Sequence, residues 1–510
     1  MKQILTTIFA LAVATAAQAI GTITVTVKNT TYQHITGFGA ASCDGAMKPY
    51  GDDTAPASLL YNPKNKICLN IMRMEISPSF EGDNWGDYDW NGSLPSAKIV
   101  KKYGGIVFGT PWSPPGEYKT NGGANGGKVN DKDDNDPQNV RGKLREDCYD
   151  KFFPWLNSFL AWMKKNGVNV DAVSIQNEPD WWVNYSGCLY DPQDLVKLVK
   201  NYAYMLDRET YKGVKLISGE SLGFTQNYTD PLMNDATCRE QIDIVAGHLY
   251  GHAPLDYMKK SAVLAAKYGK EVWMTEHSVT DYLKDRTPNW DEQLTFAQEV
   301  NECMQAGCTG YIYWYMRAHW AFVSTGETEY GSENRTKNRL LPRAYVMSHF
   351  SRNVTGSTRL EATSSVTTGT NSAFETTAYV KGDSLIVMAI NAADKEYNLR
   401  LRLPFDVKSG THVLSTGNKK TELYQESEIE MTAPVKSLVV NMPVKSLNTY
   451  IFMIDRGEDA VAAPKLAGCK LPKSTLYDLQ GRKMSTPRNG LLIEQCSDGT
   501  VRKVYTSRRK

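Results

Sequence analysis

The sequence predicts an α/β barrel of eight strand–helix units, a (β/α)8 or TIM barrel, accompanied by an all-β domain. Between about residues 37 and 350, short apolar runs rich in β-branched and aromatic residues alternate with longer runs of helical periodicity. Such alternation is typical of parallel strands covered by helices. After about Ser351 the hydrophobic period falls to two, which indicates antiparallel strands.

Seven segments of the first region are predicted to be buried parallel strands, because they are short, β-branched or aromatic, and followed by loops. They are residues 67–74, 106–109, 172–175, 214–218, 243–246, 271–275 and 310–314. Helices are predicted at about 147–166 and 291–305. A doubly wound open sheet shows the same alternation, but no Gly-x-Gly-x-x-Gly turn follows an early strand. The barrel is therefore favoured.

The remaining segments are shorter and less regular. Residues 1–19 have one lysine, an apolar core and a final Ala17-Gln18-Ala19, the pattern of a cleaved signal peptide. Residues 20–36 contain an alternating strand at 23–27. Residues 351–456 are assigned to the all-β domain. Residues 457–510 are predicted to be a small-residue linker followed by a basic tail with two or three strands. The barrel is assigned to residues 37–350, and the mature protein is expected to be secreted or attached to the cell surface.

Composition and charge indicate which classes of partner the chain is expected to lack. The tail from Lys465 carries eleven Lys or Arg against three acids, a local net charge of +8 in a chain of +2. The rest of the chain has no basic excess, so nucleic acid is not predicted as a partner. No segment after the signal peptide has the roughly 20 apolar residues that span a bilayer. We expect a monomer without metal or cofactor, and the nine cysteines form no zinc pattern.

Two glutamates carry the functional prediction. Glu178 lies in Gln176-Asn177-Glu178-Pro179 and Glu276 in Met274-Thr275-Glu276, each at the end of an apolar strand. Because the active site of such a barrel is built at the carboxyl ends of its strands, the two carboxylates are predicted to face each other. A pair of this kind can serve as acid and nucleophile on a glycosidic bond.

Further polar and aromatic residues are predicted at the same end of the barrel. They are Arg73, Trp112, His248, Tyr250 and Trp314. Each by itself is typical of a barrel core or rim, but together they supply a cation, a phenol and stacking surfaces for a sugar.

Two other motifs were weighed. Gly219-Glu220-Ser221-Leu222-Gly223 matches the serine-hydrolase elbow, but a polar run with Pro231 follows where a packed helix is needed. The acidic run 131–136 resembles a calcium loop, yet Asp136 stands where a glycine is required and Gly142 where a glutamate is required. Neither motif is favoured.

Five motifs in order resemble glycoside hydrolase family 30 over about residues 20–455. They are Gly37-Phe38-Gly39, Thr110-Pro111-Trp112-Ser113-Pro114-Pro115, Gln176-Asn177-Glu178-Pro179, Gly247-His248-Leu249-Tyr250-Gly251 and Met274-Thr275-Glu276. The resemblance implies a barrel with a side β-sandwich to which both ends of the chain contribute. It also implies that Glu178 is the acid/base and Glu276 the nucleophile of a retaining reaction, with a carboxyl separation of about 5–5.5 Å.

The other roles come from the same resemblance. Arg73 is expected to steady the nucleophile and Asn177 to bind a substrate hydroxyl. The side chains expected to line the subsite of the cleaved sugar are Trp112, His248, Tyr250 and Trp314.

Within that family the chain is most similar to bacterial endo-β-1,4-xylanases, through residues 313–317 and 342–347. Members that depend on glucuronate side chains carry two consecutive arginines and a tyrosine two residues later. Here the segment is Arg317-Ala318-His319-Trp320, so the second arginine and the tyrosine are replaced. Arg317 and Trp320 are still predicted to contact substrate. The prediction is xylan hydrolysis without strict dependence on glucuronate.

The sequence is also compatible with other functions. The chain is also similar to other β-glycosidases of that family, such as a β-1,6-glucanase or a glucosylceramidase-like enzyme. A non-catalytic carbohydrate-binding protein is a third hypothesis. The tail from about Leu476 resembles C-terminal sorting domains of exported proteins.

Overall fold

The structure, a computed structural model, describes residues 21–42, 54–78, 90–130, 132–279, 289–318, 320–325, 337–369, 372–417 and 422–455, with four short strands between 475 and 506. The chain divides into two compact units, Met1–Gly457 and Glu458–Lys510. The predicted signal peptide lies outside the described residues.

Eight parallel strands close into a barrel, which confirms the predicted fold class. They are β2 (Gly37–Ser42), β3 (Ile71–Ile76), β4 (Ile106–Pro111), β5 (Ala172–Ser174), β6 (Lys215–Ile217), β7 (Ile244–His248), β8 (Glu271–Glu276) and β9 (Gly310–Tyr313), after an N-terminal strand β1 (Thr22–His34). β2 pairs with β3 and β9 and so completes the closure.

β2 was not predicted as a strand because its six residues, Gly-Phe-Gly-Ala-Ala-Ser, have no β-branched side chain. The small residues are required by packing. A Cβ atom on Gly39 would lie 1.9 Å from the carbonyl oxygen of Ile71 on β3. The close approach of two backbones explains the composition that concealed the strand.

Helices follow most barrel strands and cover the barrel. They are α1 (Thr54–Tyr61), α2 (Leu94–Lys102), α3 (Tyr149–Lys165), α4 (Pro192–Tyr202), α5 (Gln226–Asn234), α6 (Ala236–Gln241), α7 (Pro254–Lys267), α8 (Trp290–Ala306) and α9 (Pro342–Ser351). The two predicted helices correspond to α3 and α8. The polar run after the Ser221 motif does form a helix, α5, despite the internal Pro231, because Leu232 and Met233 are buried in the core.

The side domain is one eight-stranded sheet, antiparallel except where β1 pairs in parallel with β13, and it has a separate apolar core. Its strands are β10 (Thr358–Ser364), β11 (Phe374–Lys381), β12 (Ser384–Asn391), β13 (Tyr397–Thr416), β14 (Glu422–Ile429), β15 (Val435–Met442) and β16 (Ser446–Ile454). β1 pairs with β10 and with the first half of β13, so the N-terminal strand lies in this sheet and not in the barrel.

The second unit contains a four-stranded antiparallel sheet. Its strands are β17 (Thr475–Tyr477), β18 (Lys483–Met484), β19 (Gly490–Gln495) and β20 (Val501–Thr506), in the order β18-β17-β19-β20. Two or three strands were predicted in this tail.

The barrel interior changes from apolar to polar toward the carboxyl ends of its strands. On β3, inward-pointing Ile71 is followed two residues later by Arg73, and on β7 Ile244 is followed four residues later by His248. The period of two keeps these side chains on one face. Ile71 and Ile244 belong to a buried apolar layer with Phe108 and Trp273, whereas Arg73 and His248 lie nearer the mouth.

Six described cysteines carry free thiols, at positions 68, 148, 188, 238, 303 and 308. Cys43, Cys469 and Cys496 lie outside the described residues. None of the described helices combines the length and apolar character needed to cross a bilayer.

The buried side chain of Lys119 connects the loop that follows β4 to the loop that follows β5, beside Glu178. The Lys119 side chain is 2% exposed, and its Nζ donates to the carbonyl oxygens of Ala124 (2.9 Å), Asn125 (2.7 Å) and Gly187 (2.7 Å). Three acceptors satisfy all three ammonium protons. The cation therefore connects the loop after β4 to the loop after β5.

We expect Lys119→Met to lower the free energy of unfolding by about 3 kcal/mol, because buried carbonyl groups lose their donors. The measurement is urea denaturation followed by tryptophan fluorescence. Lys165→Met, on the exposed end of α3, is the matched control and should change stability by less than about 0.5 kcal/mol. Equal stability of the two variants would contradict the assigned role.

Candidate active site

Glu178 follows β5 in a backbone conformation that side chains rarely adopt. Its φ is +45°, in the left-handed region. The Glu178 N–H donates to the carbonyl of Glu220 at 2.8 Å, and the neighbouring Asn177 N–H donates to that of Pro111 at 2.8 Å. These bonds hold the strained residue between the ends of β4 and β6. Its carboxylate is thereby turned into the barrel mouth, where the residue is 8% exposed.

Glu276 is the last residue of β8 and is 7% exposed. Arg73 Nη1 donates to its Oε2 at 2.5 Å, and the Tyr250 hydroxyl donates to its Oε1 at 3.2 Å. Both carboxylate oxygens therefore have a donor. An arginine and a phenol fix the orientation of the carboxylate relative to the barrel axis.

The two carboxylates lie close together. One oxygen of Glu178, one oxygen of Glu276 and a ring nitrogen of His248 are all within 4.8 Å of one another. An oxygen–oxygen approach this short is compatible with the retaining arrangement, in which the carboxyl groups are about 5–5.5 Å apart.

A third carboxylate, from Glu220, completes the site. His248 Nδ1 lies 3.0 Å from Glu178 Oε1, and His248 Nε2 lies 3.6 Å from Glu220 Oε2. Glu220 Oε2 also lies 3.2 Å from Arg73 Nη2. Glu220 was seen in the sequence only as part of the serine-hydrolase motif. Its place three residues after β6 was the signal that could have identified it.

Burial and neighbouring charges shift the pKa values of Glu220 and His248 in opposite directions, and the charges have the larger combined effect. Although burial acts against ionisation, Arg73 and His248 hold the pKa of Glu220 at about 2. Burial also acts against the charged imidazole, but Glu276, Glu178 and Glu220 together raise the pKa of His248 to about 9. The surrounding carboxylates therefore favour the imidazolium form of His248.

The nucleophile candidate and its phenol partner are also shifted. Burial raises the pKa of Glu276 above its ordinary value; His248 and Arg73 oppose this shift, and Glu178 adds to it. Burial and the Glu276 charge raise the pKa of Tyr250 well above its usual range, so the phenol stays a hydrogen-bond donor.

The set Glu178, His248 and Glu276 has the compactness of a metal site but not the chemistry of one. A metal ligand must offer a neutral imidazole, whereas the carboxylates around His248 raise its pKa to about 9 and so favour the protonated ring. Both oxygens of Glu276 already accept bonds from Arg73 and Tyr250. The arrangement suits proton transfer and nucleophilic attack.

The Asn177 amide is oriented by Arg73. Arg73 Nη2 donates to Asn177 Oδ1 at 2.7 Å. Because Oδ1 accepts this bond, the NH2 group of the Asn177 amide points away from Arg73. An NH2 group is a suitable donor to a sugar hydroxyl.

Aromatic rings line one side of the cluster. The guanidinium of Arg73 lies 4.5 Å from the ring centroid of Trp112 and 5.8 Å from that of Trp314. The two indoles are 5.9 Å apart. Trp112 is 8% exposed and Trp314 is half-buried, so Trp314 presents more of its surface to the mouth.

The row of rings continues from Trp314 to Trp320. Tyr315, which was not predicted, lies 4.5 Å from Trp314 and 5.8 Å from Trp320 between ring centroids. Arg317, by contrast, is 1% exposed. Its predicted contact with substrate stays a prediction, and His319 lies outside the described residues.

Arg343 supports this segment from beneath and was not predicted in the site. Its Nη1 donates to the Tyr313 hydroxyl (2.5 Å) and to the Trp320 carbonyl (3.3 Å), and its Nε donates to Gln293 (3.0 Å). The side chain is 1% exposed. No sequence pattern indicated this role, because Arg343 lies on α9 and reaches Tyr313 and Trp320 only through the packing of α9 against the loop that carries Trp320.

The serine-hydrolase alternative has no support in the geometry. Ser221 is fully buried, and its Oγ accepts a bond from the backbone N–H of Thr225 at 2.7 Å. A nucleophilic serine must instead expose its hydroxyl beside a base.

The matches to known proteins agree with this site. Residues 149–341 match the family model for the glycosyl hydrolase catalytic core. A curated relative, glucuronoxylanase XynC of Bacillus subtilis (strain 168), is 26% identical over 452 residues, covering 86% of this chain and 93% of that protein. Endo-1,6-beta-D-glucanase neg1 of Aspergillus fumigatus is 26% identical over 332 residues, 56% of this chain and 67% of that protein.

Among solved structures, the family 30 subfamily 8 xylanase Xyn30A from Clostridium acetobutylicum is 30% identical with a TM-score of 0.65. The match covers 84% of this chain and 99% of that chain. With a relative of that identity matched over nearly its whole length, and with the barrel and its paired glutamates in place, the chain belongs to glycoside hydrolase family 30.

Proposed function

We propose that this glycoside hydrolase is an exported, retaining endo-β-1,4-xylanase in which Glu276 is the nucleophile and Glu178 the acid/base. The observation that carries the proposal is the close carboxylate pair with unequal partners. Glu276 accepts from Arg73 and Tyr250, whereas Glu178 is bonded to His248. Export rests on the signal-peptide pattern of residues 1–19.

In the first step, an oxygen of Glu276 attacks the anomeric carbon while Glu178 donates its proton to the departing oxygen. The His248 imidazolium donates to Glu178 Oε1, which leaves Oε2 to carry the acid proton. Arg73 and Tyr250 keep the Glu276 carboxylate aimed at the anomeric carbon, so that little reorientation is needed during attack.

The second step follows from the charge that the first step removes. Once Glu276 is esterified by the sugar, its negative charge no longer favours a protonated Glu178. Glu178, now ionised, takes a proton from water, which attacks the anomeric carbon from the face that the leaving group vacated. Two inversions give net retention.

Xylan is the proposed substrate because two relatives matched over nearly their whole length are named a glucuronoxylanase and a xylanase. Independence from glucuronate is supported by Ala318, which stands where a second arginine is expected and cannot bind a carboxylate. The β-1,6-glucanase relative supports the alternative polymer.

For the catalytic roles, we expect Glu276→Gln to lower kcat on xylan by about 10⁴-fold and Glu178→Ala by about 10²–10⁴-fold. With an activated aryl β-xyloside oligomer and azide, Glu178→Ala should yield the β-glycosyl azide. Wild-type product, followed by ¹H NMR, should first appear as the β anomer.

The control is Glu299→Gln, since Glu299 also bonds a histidine, His277, at 2.9 Å but touches neither proposed catalytic carboxylate in any described contact. It should retain activity within about tenfold. Near wild-type xylan hydrolysis by Glu276→Gln, or initial release of the α anomer, would refute the mechanism.

For substrate choice, we expect comparable kcat/KM on glucuronoxylan and on arabinoxylan, within about tenfold, and no reducing ends from β-1,6-glucan. Removing glucuronate from one xylan sample provides the matched control polymer. Product sizes by anion-exchange chromatography separate endo from exo cleavage. Hydrolysis of β-1,6-glucan in preference to both xylans would replace xylan as the substrate.

For the loop that carries Trp320, we expect Arg343→Lys to raise KM for xylan by about tenfold while kcat changes by less than about threefold. A lysine cannot reproduce the forked contacts to Tyr313, Trp320 and Gln293. Arg339→Lys, an exposed neighbour, is the control and should behave as wild type. An unchanged KM in folded Arg343→Lys would show that the loop does not depend on Arg343.

A further inference from the structure

Glu220 lies outside the catalytic pair but adjoins the groups that contact both of its members. It is fully buried. Its Oε2 is 3.2 Å from Arg73 Nη2, and Arg73 is bonded to Glu276. The same oxygen is 3.6 Å from His248 Nε2, and the other nitrogen of that ring is 3.0 Å from Glu178.

The Glu220 carboxylate is itself fixed in place. The hydroxyl of Thr110, on β4, donates to its Oε1 at 2.8 Å, and Arg73 Nε approaches the same hydroxyl at 3.4 Å. The backbone of Glu220 bridges to Asn177 and that of Ser221 to Gly247, so the segment is pinned between the ends of neighbouring strands. A buried anion held from so many directions is pre-oriented toward its two cations.

Charge balance makes this third carboxylate necessary. With Glu178 protonated, the buried cluster contains two cations, Arg73 and His248, and two anions, Glu276 and Glu220. Without Glu220, the contacting set Arg73, His248 and Glu276 has one more positive than negative charge, and the next carboxylate, Asp180, interacts with only His248 of these three. Uncompensated buried charge is unfavourable, so one of the cations must then move or lose a proton.

We propose that Glu220 is a positioning residue that keeps Arg73 and His248 charged and in place, and thereby sets both the aim of Glu276 and the protonation of Glu178. This inference rests on the proposed roles of Glu178 and Glu276. Glu220 itself need not touch the substrate; it acts through one partner on each catalytic carboxylate.

The sign of the expected pH effect follows from the groups that face Glu220 and His248. These charged or titratable groups are Arg73, Glu178, Asp180, Tyr250 and Glu276. Replacing Glu220 by glutamine removes one negative charge from their midst. Loss of a proton from the cluster then becomes easier, so the basic limb of the activity profile moves to lower pH.

The first test is the pH dependence of kcat/KM on xylan for Glu220→Gln and Glu220→Asp. In Glu220→Gln we expect the basic limb to fall by about 0.5–1 pH unit and kcat to fall by at least about 10²-fold. Glu220→Asp keeps the charge but is one methylene shorter. Its basic limb should stay within about 0.3 pH unit of wild type while its kcat falls by about tenfold.

A second readout needs no substrate. The chain has seven histidines, so ¹⁵N-histidine NMR is tractable, and a His248→Asn variant assigns the His248 signals. In the wild type the imidazolium should persist to about pH 9, as the pKa of His248 implies. In Glu220→Gln its titration midpoint should fall by at least about 1 pH unit.

Glu375→Gln is the matched control. Glu375 is also fully buried and accepts bonds from Asn301 and Gln305, but it lies at the start of β11, away from the barrel mouth. It should change neither the pH profile nor the His248 titration, whatever its effect on stability. A shift equal to that of Glu220→Gln would assign the effect to general loosening of the fold and overturn the proposal.

A folded Glu220→Gln enzyme with the wild-type pH profile and the wild-type His248 titration would overturn the inference. If that variant does not fold, the test is Glu220→Asp. A kcat equal to that of the wild type in Glu220→Asp would show that the position of the carboxylate does not matter, and it would overturn the inference. Failure of the xylanase assignment is separate: it appears as inactivity of the wild type on xylan, whereas the NMR titration of His248 is independent of the polymer.

Discussion

The bonds of the Arg73 guanidinium are the interaction on which the rest of the site depends. The side chain is fully buried, and it bonds Glu276 and Asn177, lies 3.2 Å from Glu220, and faces the ring of Trp112. A charge so far from water is stable only when paired and hydrogen-bonded. Each partner comes from a different barrel strand or the loop after it, so the barrel must close before the cation is satisfied.

That constraint gives the carboxylates of Glu178 and Glu276 different environments. Glu276 faces a permanent cation and a phenol, which favours an oriented anion. Glu178 faces instead the ring of His248, which lies 3.0 Å from its Oε1. The proposed division of labour between nucleophile and acid/base therefore rests on partners that lie one to three strands away around the barrel.

Sequence patterns predicted the elements whose signals are local. Short apolar runs located seven of the eight barrel strands, and glutamates at strand ends located the two carboxylates that lie close together at the barrel mouth. β2 was missed because backbone packing at Gly39 requires small residues that carry no strand signal. Glu220 and Arg343 were missed because their roles come from contacts with residues 147 and 23–50 positions away, respectively, along the chain. The strand β1 was recognised by its alternation, but its membership of the side sheet needed partners more than 320 residues later.

The sequence by itself determined the alternation of strands and helices, the strand-end position of Glu178 and Glu276, and the absence of a second arginine at position 318. These properties depend on residue type and on short-range periodicity. Only the tertiary structure decided that the two carboxylates lie within a few ångströms, that the charged form of His248 is favoured, and that Arg317 is buried. Distances and protonation states depend on groups that closure of the barrel brings together, and no pattern along the chain records them.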